Sequence, residues 1–288
     1  MNNENIKNDT INWQWEISPA KSWFKLGLKE LFNYRGLILR FVRRDLIANY
    51  QQTVIGPIWI FLQPLLTTLI YLVVFGNFAN VSTDRVPKIL FYLSGTIIWT
   101  FFFDNISGTM YTFITNAHIF NKVYFPRLVV PVSNIITQSV RLAIQMVLFI
   151  IIFLFYFFAY DMFQLSFKML LIPFLVILTA GFALGSGLLI AVFTARYRDI
   201  DTFFQYILRL GMFITPVVFP SSIVPQKFQL LFWLNPLTPI IETFRSIFFN
   251  QNAIRYDFLL IAVAETIILL IAGLILFKRR EVEVMDII

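Results

Sequence analysis

Cysteine is absent from the 288 residues, and histidine occurs once. The first absence excludes disulfides, thiolate metal sites and cysteine nucleophiles. The second excludes paired-histidine zinc motifs and any Ser–His couple in the apolar segments. Charge is scarce as well: Asp, Glu, Lys and Arg make up 14% of the chain, against ~25% in soluble domains. No Gly-Lys dipeptide occurs, so the GxxxxGK[ST] phosphate loop is missing and the chain has no ATP site of that kind. What fills the space is apolar. Hydrophobic residues account for 58%, Phe alone for 34 positions, and the mean hydropathy is +0.75. A water-soluble globule is excluded, and an all-α integral membrane protein is predicted.

Residues 1–26 read as a polar tail on the cytoplasmic side, without the basic start, apolar core and cleavage site of a signal peptide. Over 27–52, Leu31, Tyr34, Ile38, Phe41, Val42 and Leu46 recur at helical spacing, with Arg35, Arg40, Arg43 and Arg44 between them. That pattern predicts an amphipathic interfacial helix, apolar face towards lipid and basic side chains towards headgroups. A membrane domain follows over 53–277. A span needs about 20 apolar residues, which predicts spans near 54–78, 89–114, 131–159, 169–194, 202–219 and 256–277. Between the fifth and sixth, residues 220–253 are apolar but broken by Pro220, Pro225, Pro236 and Pro239. Proline removes a backbone donor, so two short re-entrant helices at the outer face fit better than a span, with Glu242 and Arg245 on them. The tail 278–288 is charged.

Six spans put both termini on one side. That side, with the loops at 115–130 and 195–201, carries 15 Lys and Arg; the other carries 6, and two lie within spans. The positive-inside rule then makes the termini cytoplasmic.

Intramembrane charges are costly and by default functional. Asp104, Arg141 and Arg209 fall at similar depth nearer the cytoplasm, which permits an Asp104 pair with either arginine, as a register-fixing ion pair or as part of a cationic lining for an anionic substrate. Glu265 lies nearer the outside with no evident partner. Tyr92, Trp99, Phe101, Phe102 and Phe103 crowd span 2; flat rings lining a passage would let sugar faces slide, whereas the plainer reading is packing. His118 reads as a solvated loop residue. Ser186, between Gly185 and Gly187, reads as a packing position because no base accompanies it.

Four stretches, in order, resemble one family: ELFNYRGLILRFVRRDLIANYQQTVIGPIWIFLQPLL (Glu30 to Leu66), NKVYFPRLVVPVSNI (Asn121 to Ile135), ARYRDI (Ala195 to Ile200) and NPLTPIIETFRSIF (Asn235 to Phe248). They look like the ABC-type permeases that export polysaccharides such as O-antigen, capsule or teichoic acid. The resemblance implies a homodimer of six-span subunits in a bacterial plasma (inner) membrane, with a channel between them for a lipid-linked glycan. Two copies of a cytoplasmic ATPase subunit, which carry the ATP and Mg, would dock beneath. This chain would hold no cofactor of its own and would not be an enzyme; no metal or nucleic-acid partner is implied. The coupling loop would be 116–127, with Asn121, Lys122, Tyr124, Phe125, Pro126 and Arg127 at the ATPase and Arg196, Arg198 and Asp199 in support. Arg40, Arg43 and Arg44 would meet a lipid pyrophosphate at the substrate entrance, and 220–253 would be the outer gate.

Other readings stay open at this point. A drug or small-lipid ABC exporter shares the architecture. An ion-coupled carrier would need internal repeats and a midplane site of ionisable groups, and no repeat is seen. A glycosyl- or lipid-transferring enzyme would need clustered acids, whereas Asp84 and Asp161 stand alone in their turns.

Overall fold

The computed structural model describes residues 28–48, 50–51, 53–120, 122–160, 167–250 and 253–285, and of these the side chains at 28–30, 198 and 282–285 are left undescribed. The predicted tail 1–26, Asn121, the turn at Asp161 and the last three residues lie outside the described residues. The helices are α1 (Leu28–Asn33), α2 (Arg35–Ala48), α3 (Trp59–Tyr71), α4 (Lys88–Met110), α5 (Thr112–Phe120), α6 (Val129–Tyr160), α7 (Ile172–Arg196), α8 (Arg198–Gly211), α9 (Gln226–Trp233), α10 (Leu237–Phe249) and α11 (Tyr256–Met285). No strand occurs among the described residues.

Among the described residues, five segments are long and apolar enough to cross a membrane: Gly56–Phe78, Lys88–Met110, Val129–Tyr160, Phe167–Arg196 and Tyr256–Glu281. They fall on the predicted first, second, third, fourth and sixth spans. The least apolar of them, on α4, has a mean hydropathy of 1.4 and is 78% buried, while those on α6 and α11, at 2.7 and 2.8, are each 22% buried. In water that order would be reversed. Here lipid is the outer solvent, so the greasiest helices face it, and the helix rich in Thr, Ser, Gly and Asn sits inside, where protein can satisfy those groups.

The region predicted as the fifth span, 202–219, differs from a continuous helix. The helix α8 begins earlier, at Arg198, ends at Gly211, and gives way to turns through Val218. Pro216 is the physical reason: it cannot donate to the carbonyl four residues back and disfavours helical backbone at Thr215. Before the first span the chain uses Gly56 at φ +59 to turn, a conformation that costs glycine little.

Two close approaches hold the centre together. A Cβ on Gly185 of α7 would lie 2.6 Å from the Leu270 amide nitrogen of α11, and one on Gly273 would lie 2.5 Å from the Gly185 carbonyl oxygen. Small residues let these backbones touch, the usual driving contact between helices in lipid. On α7's other side, Gly187 packs against Thr109 of α4. Ser186 donates to the Phe182 carbonyl at 2.6 Å, which fits its packing role. Pro64 inside α3 leaves the Ile60 carbonyl without its helical donor, and the Gln145 amide of α6 reaches it at 3.5 Å. The last seven residues of the first span, Leu72–Phe78, widen into a π-helix, and the Lys88 ammonium donates to the Gly76 carbonyl at 2.5 Å.

Candidate functional site: coupling end and outer anchor

The end of the bundle that holds the turn after α5 is organised by a chain of phenylalanines. Phe41 of α2 lies 5.8 Å from Phe125, Phe125 lies 5.5 Å from Phe120, Phe120 lies 6.3 Å from Phe113, and Phe113 stacks on Phe277 of α11 at 4.7 Å. Each neighbouring pair falls in the range where rings attract. The rings run from the interfacial helix through the turn after α5 to the last span. With Phe125 turned inward and 5% exposed, the turn presents Val123 and Tyr124 outward, at 58% and 91% exposed. Lys122 is exposed and Pro126 half-buried. Arg127 is held within the subunit by Glu281 of α11 at 3.7 Å. The predicted coupling set therefore divides: Lys122 and Tyr124 are free to meet a partner, whereas Phe125 and Arg127 are the turn's internal fastening.

The second loop is built by helix ends. Arg196 closes α7 and lies 5.4 Å over Tyr197, and Asp199 and Asp201 open α8. Cations at helix C-termini and acids at N-termini both suit the backbone dipole. The Tyr111 hydroxyl, at the end of α4, donates to Asp201 and accepts from the Gln205 amide at 2.9 Å. Burial, and then the Asp201 carboxylate, hold the Tyr111 phenol above its ordinary 10.0, so it stays a donor. This link joins the start of α5 to α8. Asp199 and Arg196 are exposed beside it; the Arg198 side chain lies outside the described residues. Sequence reasoning missed Tyr111, Asp201 and Glu281, and only the charged run ARYRDID hinted at the second.

The interfacial helix corrects one expectation. Ile38, Phe41 and Val42 of α2 are buried against Phe125, Val129 and Val130 rather than against lipid. Protein covers this face because the turn and the start of α6 lie directly beneath it. Arg40 and Arg43 remain exposed. Arg44 is engaged, with Nε and Nη2 each 2.8 Å from Asp45 Oδ1 and its guanidinium 4.5 Å over Phe41.

Inside the spanning segments, Asp104 and Arg141 do not close a direct ion pair. Arg141 instead donates to Gln138 at 3.2 Å and lies 5.6 Å over the Tyr50 ring. Arg209 is exposed on α8 and makes no ion pair with Asp104. Glu265 keeps one carboxylate oxygen buried without a hydrogen-bond partner among the described residues. The aromatics expected to line a passage are core residues: Tyr92, Trp99, Phe101 and Phe102 are at most 8% exposed, and Phe103 packs on the same cluster. The reason is the central position of α4, which buries most of its surface and leaves residues such as Thr100, Phe103 and Asp104 only partly exposed.

The opposite end of the bundle has a buried anchor on α10. Pro225 and Pro236 stand at the N-caps of α9 and α10, and Pro220 caps the short turn before them, the places where a missing donor costs least. Pro239 is buried in the first turn of α10, and all thirteen residues of α10 are buried. The segment is thus two short helices rather than one long one, with α10 covered by protein and α9 largely exposed. Asn250 ends α10 in the left-handed conformation, φ 50. Arg245, 5% exposed, pairs with Glu242 at 3.1 Å. It also donates to the Phe91 and Val217 carbonyls at 3.2 Å and to Ser94 at 3.3 Å, with its guanidinium 3.7 Å over the Phe91 ring. Three segments, α10, α4 and the turn holding Val217, meet on one side chain, each bond charge-assisted and shielded from water. Ser221 donates to the second Glu242 oxygen at 3.0 Å. Glu242 and Arg245, read from sequence as gate residues, are the buried fastening of that segment to α4.

The ABC-2 type transporter profile matches residues 37–249. The chain is 28% identical to the O-antigen export system permease protein RfbA of Klebsiella pneumoniae over 257 residues, 89% of this chain and 95% of that one. It is 26% identical to the protein of the same name from Myxococcus xanthus, covering 89% and 96%, and 25% identical to the polysialic acid transport protein KpsM of Escherichia coli, covering 83% and 91%.

Proposed function

The chain belongs to the ABC-2 type transporter family, and from that premise we propose that it is the multi-pass permease subunit of an ATP-driven exporter for a lipid-linked polysaccharide. The observation that carries this reading is the near end-to-end likeness to O-antigen permeases, over 89% of this chain and 95% of theirs. A charged or polyhydroxylated polymer cannot cross hydrocarbon unaided, and a chain without a phosphate loop must receive its driving force from outside. Two copies of the chain form the conduit in a bacterial plasma membrane, both termini cytoplasmic, and two separate ATPase subunits supply hydrolysis of Mg-bound ATP.

The ATPase meets the turn after α5 through Lys122, Val123 and Tyr124, supported by Arg196 and Asp199. An aromatic that is 91% exposed at the tip of an otherwise fastened turn is what a docking contact needs: a rigid anchor with little ordering cost on binding. Displacement of that turn reaches α11 through the phenylalanine chain and α8 through Tyr111 and Asp201. Arg40 and Arg43, exposed on α2, meet the lipid pyrophosphate at the cytoplasmic entrance. Deleting the gene and probing the cell surface for glycan tests the reading: the polymer should vanish from the surface while its lipid-linked form accumulates inside.

A further inference from the structure

The outer end contains a cavity of about 370 Å³ between α9, α10 and residues 253–255. It lies within the ~300–1,000 Å³ of small-molecule sites. Its wall includes Trp233 and Gln229 of α9, Glu242 and Thr243 of α10, Ser221, and Arg255. A neighbouring cavity of similar size, about 380 Å³ and lined by Phe219, Phe228 and Leu231, is almost wholly apolar. Two pockets on one small gate segment therefore differ in chemistry.

The polar cavity is built rather than incidental. Arg255 lies 5.0 Å over the Trp233 ring and 4.3 Å over Phe258, while Trp233 and Phe258 are 5.4 Å apart, so the indole is braced. Both charges in the wall are balanced internally: Arg255 by Asp257 at 3.0 Å, and Glu242 by Arg245 at 3.1 Å. The Gln229 amide donates to the Val224 carbonyl at 3.4 Å, which leaves its oxygen as an acceptor. A braced aromatic with a polar edge, a hydroxyl, an amide oxygen and neutralised charges match a neutral polyhydroxylated ring. They do not match an ion, which would demand an uncompensated opposite charge.

We propose that this cavity binds one neutral sugar unit of the passing polymer at the outer exit. The proposal rests on the polysaccharide-export reading and goes beyond it by naming the site. It also has a mechanical consequence. Glu242 takes Arg245 on one oxygen and Ser221 on the other. A sugar hydroxyl that replaces Ser221 acts on the same carboxylate that positions Arg245, and through it the bonds to the Phe91 and Val217 carbonyls.

Because the chain has no cysteine, single cysteines report the site without background. Gln229→Cys and, as a second variant, Ser222→Cys are placed in the complex with the ATPase in proteoliposomes. Labelling by a membrane-impermeant maleimide is followed with and without methyl glycosides of glucose, galactose, mannose, rhamnose and N-acetylglucosamine. At least one glycoside should slow labelling by about threefold or more, the protection mass action gives near 2 Kd, and Trp233→Leu should remove it. Ala79→Cys, outside the cavity, should be unaffected. Unchanged labelling at both cavity positions with every glycoside, or equal slowing at Ala79→Cys, overturns the proposal. If surface glycan is nonetheless lost on gene deletion, the export reading stands and only the sugar site has failed; if surface glycan persists after deletion, it is the export reading that has failed.

Discussion

Arg127 and Glu281 face one another 3.7 Å apart, tying the turn after α5 to the C-terminal end of the last helix. A half-buried pair that joins two segments far apart in sequence fixes the turn's direction, and that direction sends Tyr124 outward. Charge reversal, Arg127→Glu, should therefore lower the yield of the ATPase complex on co-purification by misplacing the turn. Adding Glu281→Arg should restore it. A direct contact of Arg127 with the ATPase would leave the double variant as defective as the single one.

Tyr124→Ala should behave differently. An exposed side chain with no fold-holding role changes stability by about 0.5 kcal/mol or less, so the melting temperature of the purified subunit should hold. The same variant should lose most ATPase association, since exposed aromatics that anchor an interface cost ~2 kcal/mol or more on truncation.

On α10, Arg245→Met leaves the Glu242 carboxylate buried without its counter-charge. Removing one partner of a buried pair costs ~3–5 kcal/mol, so thermal unfolding in detergent should drop sharply. Pairing it with Glu242→Leu should recover much of the loss. Equal destabilisation by the double variant would mean that the bonds to Phe91 and Val217, not the charge balance, dominate.

Tyr111→Phe removes the hydroxyl that joins α4 to Asp201 and Gln205. Hydrolysis by the assembled complex should persist while glycan export falls, because docking is intact and the link to α8 is not. Rates of phosphate release and of polymer delivery, measured on the same vesicles, check this.

Gly185→Leu would press a side chain onto the α11 backbone at Leu269 and Leu270. The variant should fail to yield a monodisperse subunit, whereas Gly36→Ala, with open space around it, should not.

Much of this was legible in the sequence because lipid imposes simple rules. Long apolar runs located, to within a few residues, the five candidate spanning segments found among the described residues, and the prolines between 220 and 239 marked where the chain breaks into the short helices α9 and α10. What the sequence hid was direction. The same composition serves a ring that faces a passage and a ring that faces a core, and only the central placement of α4 buries Tyr92 and Trp99. Arg209 and Asp104 fall at similar depth when counted along the sequence, yet no ion pair joins them. Phe125 and Tyr124 are adjacent and similar in chemistry, yet one is 5% exposed and the other 91%; the difference comes from Phe41 and Phe120, one of them over eighty positions upstream.

The central claim is that this subunit forms the conduit and draws its energy from a partner at its cytoplasmic turn. Transport of lipid-linked glycan into vesicles tests it directly, comparing the subunit alone, the subunit with its ATPase, and the Tyr124→Ala complex, each with Mg-ATP. Delivery should appear only with the intact pair. Polymer movement by the subunit alone, or undiminished movement in the Tyr124→Ala complex, would contradict the account.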